Sequence, residues 1–238
     1  PMARTVTDAA ILLGALTGGD ARDPATELSR FKRTRDYTQS LHADGLRGAR
    51  LGVARKYFRA GAVGEKILEA AIAAMKSAGA IIIDPADLPS HGTFGDAEFQ
   101  VLLYEFKADL NAYLAGLGPK APVRTLKEII EFNERNKDKE MPYFGQETFL
   151  KAEEKGPLTE TAYLEALEKC RRLSRDEGID AVMNQHQLDA IIAPSGGPAG
   201  KTDLIHGNRG VGGSSSAAAM AGYPNITVPA GDVFGMPM

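Results

Sequence analysis

The 238 residues carry a formal charge of −3, with 43% hydrophobic and 25% charged positions, a balance that permits a sizeable soluble core. There is no basic field for a phosphate backbone, and no Lys/Arg cluster is interleaved with aromatics, so nucleic acid is excluded as an expected partner. Apolar runs such as residues 9–13 and 78–83 fall far short of the ~20 residues that a helical membrane span needs.

One cysteine, Cys170 in LEKCRRLS, leaves no internal disulfide to form, and a reducing, cytoplasmic setting is expected. Asp8 beside the first apolar run argues against a cleaved leader, and the start on Pro1 leads us to expect further sequence upstream.

In chain order, TVTDAAILLGALTGG predicts a helix. Thr5 and Asp8 have capping-box spacing, Val6, Ala9, Ala10, Leu13 and Leu16 keep the helical period, and Gly18-Gly19 supplies the stop. The polar stretch to Leu46 predicts a surface connection. A short strand at 50–54 and a helix through Ile67, Leu68, Ala71, Ile72 and Met75 follow. The β-branched run AIIIDP then reads as a buried strand, which completes a parallel βαβ unit.

Residues 93–178 predict helices almost throughout. Phe99, Leu102, Leu103, Phe106, Leu110, Tyr113 and Leu114 mark the longest of them; Pro142 breaks the region, and Thr159 or Thr161 is the expected cap of the last helix, which continues beyond Gly178. LDAIIAPSGGP predicts a second buried strand that delivers a loop at its carboxyl end. SSSAAAMAGYP predicts a helix capped by serine and closed at Gly222, and NITVPAG predicts a further short strand.

The run GVGGSSS raises the question of a serine nucleophile. Such a serine needs a sharp turn, a base in reach and an oxyanion hole. No glycine stands two positions after any of these serines, so the nucleophile elbow G-x-S-x-G is absent. Of the four imidazoles, His42, His91, His186 and His206, only His206 lies near the serines in sequence. A Ser/His hydrolase using Ser214–Ser216, an anion-binding domain built on the glycine-serine loop, and a plain helix cap therefore stand as alternatives, the cap being the simplest. The histidines are scattered, without H-x-x-x-H or C-x-x-C, so neither a metal nor another cofactor is expected. GNRGVGG fits neither the P-loop nor the dinucleotide fingerprint.

Several stretches together resemble the amidase signature hydrolases: PMARTVTDAAILLGALTGGDARDPAT at the start, LDAIIAPS as a late strand, and AAAMAGYPNITVPAG near the end. YEFKADLNAYL further resembles the branch that contains peptide amidases and other small-amide hydrolases. The resemblance covers essentially the whole chain. It implies an α/β fold with a mixed sheet flanked by helices, and hydrolysis of the C–N bond of a small-molecule or peptide amide by a Ser–Ser–Lys triad. In that family the lysine, the glycine-serine loop and the D-x-G-x-S-[IV]-R nucleophile segment precede the stretch that Pro1 resembles. None of the three catalytic roles is therefore carried onto Ser214, Ser215 or Ser216, and this chain alone is expected to be inactive. GDVFGMPM stands where the family continues into further elements.

The expected organisation is one incomplete α/β domain, with a helix and βαβ unit over 1–90, a helical insert covering the cleft over 91–178, and late strands with the Gly/Ser loop over 179–238. Ligands of open α/β sheets sit beyond the carboxyl ends of the strands. That rule nominates Ser195, Gly196 and Gly197 after the late strand, and Asn208, Gly212 and Gly213 in the following loop, as substrate-binding residues. Tyr104 is nominated from the insert. Exposed core surface is expected to favour self-association into oligomers.

Overall fold

The structure, a computed structural model, describes residues 1–23, 26, 34, 36–198, 202, 205 and 213–238. Two compact units are distinguished, one of residues 1–49 and 74–80, the other of residues 50–73 and 81–238.

In the first unit, α1 spans Val6–Leu16. Thr5 caps it: its hydroxyl oxygen accepts from the Asp8 amide at 3.0 Å and its hydroxyl donates to the Asp8 carboxylate at 2.8 Å, the reciprocal pairing that the T-x-x-D spacing predicts. Only Ala10 of this helix is buried. A single 3₁₀ turn, Tyr37–Ser40, is capped by the Asp36 carboxylate.

The second unit contains a three-stranded parallel sheet of order β2–β1–β3, formed by β1 (Arg50–Val53), β2 (Ile81–Ile83) and β3 (Ala190–Ile192). The crossover helix α2 (Gly61–Ser77) joins β1 to β2 and buries Leu68 and Ile72 on one side. Central β1 is buried from Leu51 to Val53. Neither outer strand matches the expectation of full burial: Ile81 is 47% exposed, and Ile191 and Ile192 are half-buried. Among the described residues each of them pairs with β1 alone, which leaves its other edge open. Arg50 fixes the amino ends of the strands, its guanidinium donating to the carbonyls of His186 and Gln187 while its backbone amide donates to Asp189 at 2.8 Å.

The helical region comprises α3 (Gly95–Gly116), α4 (Leu126–Arg135), the single turn α5 (Lys137–Glu140), α6 (Glu147–Glu153) and α7 (Thr161–Ser174). Leu126, wholly buried, packs with Leu103 and Ala152, backed by Leu110, Ile130 and Phe149. The apolar stripe expected along α3 divides: Leu103, Tyr104 and Leu114 are buried, whereas Phe99, Leu102, Phe106 and Tyr113 are exposed. Neither Thr159 nor Thr161 caps α7. Glu160 holds that position, and its carboxylate accepts from the Tyr104 hydroxyl at 2.6 Å instead of from the helix amides.

α7 runs on through a π-turn (Arg175–Ile179) into α8 (Asp180–His186), as the apolar stripe across Gly178 predicts. At Gly178 the backbone leaves helical geometry, and an added Cβ would collide with the Leu173 carbonyl oxygen, so the position tolerates no side chain. Helix α9 (Ser215–Ala221) closes at Gly222 in left-handed conformation, where lack of a Cβ removes the steric cost. The strand expected at NITVPAG is not formed. Ile226 and Val228 are exposed, and the ladder lies just downstream as a hairpin of β4 (Asp232–Val233) and β5 (Met236–Pro237). Phe234 and Gly235 turn it with φ of 53° and 77°, the primed-turn geometry that suits the twist of a two-residue hairpin.

Candidate active site

All three strands of the sheet run the same way, so the segments after β1, β2 and β3 emerge at one edge. β1 lies between strands reached by opposite paths, which makes the crevice beside its carboxyl end the place where an open α/β sheet receives a ligand.

The backbone at this edge is tied strand to strand. The Ala54 amide donates to Ile192 O at 3.1 Å, and the Ala86 amide to Val53 O at 2.8 Å. A buried cluster of Ala54, Leu88, Phe94, Leu173 and Ala217 lies beneath, with Tyr57 and Ala193 packed against it.

After β3, Pro194 is buried and Ser195 is exposed. The Ser195 and Thr227 hydroxyls lie 2.8 Å apart, open to solvent. Gly213 packs so closely on Ser195 that a Cβ there would strike the Ser195 carbonyl oxygen and lie 3.7 Å from the Gly196 amide. The two loops nominated from sequence therefore do converge at Ser195, Gly196 and Gly213, and glycine is required at 213 by this approach. Gly197 is half-buried in the same loop. Asn208 and Gly212 lie outside the described residues, as does His206, the imidazole nominated as partner of the serines.

Ser214 holds the N-cap position of α9 but makes no side-chain capping bond. The C-terminal end of α9 is held by Arg175, whose Nε donates to Ala221 O at 2.7 Å. The Arg175 guanidinium also lies over the Tyr223 ring, and that tyrosine donates to Asp180 Oδ2 at 2.9 Å. The kinked π-turn thereby fixes the segment leading from Gly213.

Tyr104 sits elsewhere, 5% exposed between α3 and α7, with its ring 5.5 Å from that of Tyr163. Its hydroxyl is engaged by Glu160, and the Tyr163 hydroxyl by Glu105 at 2.9 Å. Burial and the Glu105 bond push the Tyr163 phenol up to about 12. The structure does not bring Tyr104 together with Ser195 and Gly213.

Three further residues at the carboxyl edge are not among the site residues nominated from sequence. Thr227 lies in a segment read as a strand. Tyr57 and His91 follow β1 and β2, and their rings meet edge to face, 4.5 Å between centroids and 83° between planes. The rule that singled out the loop after β3 applies equally to the loops after β1 and β2, and would have found both rings.

Beside them, the Arg55 guanidinium is shared by Asp84 and Glu69; Nε reaches Asp84 Oδ1 at 2.7 Å. The bond from Arg55 holds the Asp84 carboxyl below the usual carboxylate range. Among the described residues, no group of three or more His, Cys, Asp or Glu is gathered for a metal ion. Cys170 is buried, which pushes its thiol up, away from nucleophilic use.

The fold and this edge define an α/β protein of the amidase kind: the family model for amidases matches residues 1–238. The chain belongs to the amidase family. Among its relatives, a probable amidase of Arabidopsis thaliana is 37% identical over 244 residues, which cover 100% of this chain and 43% of that protein. The crystal structure of the peptide amidase PAM with the competitive inhibitor chymostatin superposes with a TM-score of 0.91 at 40% identity, covering 100% of this chain and 48% of that one. An amidase family protein of Bacillus anthracis superposes at 0.79 with 30% identity over 99% of this chain and 42% of its own. The chain thus spans less than half the length of these relatives.

Proposed function

We propose that this chain is part of an amidase that hydrolyses a carboxamide C–N bond to a carboxylate and ammonia or an amine, with peptide amides as the substrate class. The observation that carries the reading is the superposition on the peptide amidase over the whole chain at a TM-score of 0.91. The nucleophilic serine, relay serine and lysine of the Ser–Ser–Lys mechanism come from sequence outside these 238 residues. A lysine serves as the final base in such a triad when desolvation lowers its pKa.

This chain contributes the sheet, the carboxyl-edge loops at Ser195–Gly197 and Gly213 that border the substrate, and the helical region as a wall. Ser214, Ser215 and Ser216 are structural. Orienting a substrate without a nucleophile gives little rate. The 238 residues alone therefore release no ammonia from an N-acyl peptide amide, whereas an amidase that contains them together with a D-x-G-x-S segment does. Turnover by the isolated chain that is abolished by Ser215→Ala would overturn this assignment.

A further inference from the structure

The segment between Pro224 and Pro229 has the composition of a strand and none of its pairing. The chain runs from Tyr223 to Ala230 without a bend or turn, and every residue from Pro224 to Ala230 is exposed. Among the described residues, Asn225, Ile226, Thr227 and Val228 make no backbone hydrogen bond, although each carries one donor and one acceptor. Backbone pairing resumes only at Ala230, whose amide donates to Met238 O at 2.9 Å. Ile226 and Val228 stand two positions apart, which puts them on one side of a strand, and they are 73% and 56% exposed. Such a β-branched pair suits a half-buried sheet face.

Both ends of the segment are nevertheless held. Upstream, Tyr223 donates to Asp180 and lies under the Arg175 guanidinium. Downstream, Gly231 approaches α2 so closely that a Cβ would meet the Ile67 side chain. Between them the Thr227 hydroxyl meets that of Ser195 at 2.8 Å, just after β3. A fixed row of unpaired N–H and C=O groups is a template for another strand, and its four residues exceed the three of β2 and of β3.

We infer that Asn225–Val228 is an open strand completed by the complementary portion of an amidase chain, which pairs with its backbone and covers Ile226 and Val228. The identity of the occupant rests on the amidase reading; the open strand does not. The amidases that superpose on this chain are more than twice its length, so in them the matching residues stand beside as much chain again. A second copy of this chain fits less well, because two copies alone would form a two-stranded ribbon of four residues between prolines, too short to be stable by itself. The Ser195–Thr227 contact gives the docking a consequence: a portion seated on this strand lies next to the Ser195 loop, where the catalytic groups it carries can face a bound amide.

The test is amide hydrogen exchange, read residue by residue in this chain alone and in a complete amidase that contains it. In the chain alone, the amides of Ile226, Thr227 and Val228 should exchange at nearly the unstructured rate while those of Leu51 to Val53 in central β1 are protected. In the complete amidase the same three should slow by about 100-fold or more. Ile226→Lys with Val228→Lys should leave the melting temperature of the chain alone in place, both positions being exposed, and lower that of the complete amidase, where the lysines would be buried. Fast exchange of the three amides in the complete amidase, or an unshifted melt of its double variant, would overturn the inference. Protection that rises with the concentration of the chain alone, the mark of a second copy, would do the same. If β1 is unprotected in the chain alone, the complete amidase decides by itself. Ammonia release from a peptide amide with the three amides unprotected removes the docking alone. Protection without ammonia release removes the amidase reading alone.

Discussion

The helical region and the carboxyl edge of the sheet differ in how far their polar side chains are paired. Around Leu126, side-chain polar groups of the helices are mostly paired. Asn111 Oδ1 accepts from the Leu126 amide at 2.8 Å, Lys107 Nζ donates to the carbonyls of Glu153 and Lys155, and each tyrosine at the α3/α7 contact has a carboxylate. At the edge, Arg55 is paired with Asp84 and Glu69, but the phenol of Tyr57 and the imidazole of His91 have no protein hydrogen-bond partner among the described residues, and the Ser195 and Thr227 hydroxyls meet each other in solvent. Paired groups hold a fold together, and unpaired ones are free to meet a ligand. Stability should therefore reside in the helices and binding at the edge, and substitutions can pull the two apart.

The largest effect is expected at Leu126. Truncation to alanine removes a side chain with 0% exposure, and large-to-small changes in packed cores cost about 2–5 kcal/mol. Urea unfolding of Leu126→Ala should show that loss as a lowered midpoint. An unchanged midpoint would reverse the comparison.

Gly178→Ala comes next. The new Cβ would meet the Leu173 carbonyl oxygen, which is backbone and yields only if the π-turn moves. Local strain of that kind costs about 1–3 kcal/mol. Because the same turn carries Arg175 against α9, thermal melting should fall and the Tyr223 environment should change with it. An unshifted melt would show that the kink is not required.

Smaller losses test individual bonds. Tyr163→Phe deletes the bond to Glu105, worth about 1 kcal/mol, and should remove the phenol that ionises near 12 from a spectrophotometric titration. Asp84→Asn weakens the contact with Arg55 at the edge, where both partners are about 30% exposed, so about 1 kcal/mol is expected after allowance for solvent screening. The sign with pH follows from the depressed Asp84 carboxyl. Its contribution is complete above the unfolded aspartate pKa of about 4 and is lost as pH falls through the lower folded value. Acid unfolding of Asp84→Asn should lack that component, and an identical pH profile in both proteins would show the pair to be inert.

Much of this architecture is legible in the residues. The T-x-x-D cap of α1, the βαβ pattern, the helix that persists past Gly178 and the glycine close of α9 all follow from local spacing, because caps and periodicity act within a few positions. Burial is less legible. AIIIDP and LDAIIAP have the composition of interior strands, yet which strand is central depends on pairing across more than a hundred residues, as between Leu51 and Ala190. NITVPAG has strand composition without a strand, since no ladder partner meets it among the described residues. A topological rule nominates Ser195 and Gly213 as substrate-binding residues, and their backbones approach closely, which says nothing of their role in binding. Tyr57, His91 and Thr227 carry no local motif, and only the direction of three strands brings the loops of the two rings to the same edge.

The smallest expected change in stability is the sharpest test of the division. Ser195→Ala deletes one member of the Ser195–Thr227 hydroxyl pair, but both residues are exposed, so water replaces the lost partner and no buried group is orphaned. Surface changes of this type stay within about 0.5 kcal/mol. In an amidase that contains this chain, the same substitution should raise KM for a peptide amide with little change in kcat if the hydroxyl borders the substrate as proposed, since it then contributes equally before and during reaction. Gly213→Ala should have the larger effect on KM, because its Cβ strikes the Ser195 carbonyl oxygen and displaces the loop instead of trimming it. If Ser195→Ala lowers the melting temperature and leaves KM alone, the hydroxyl pair is a fastening of the fold, and the carboxyl edge is built on the same terms as the helices.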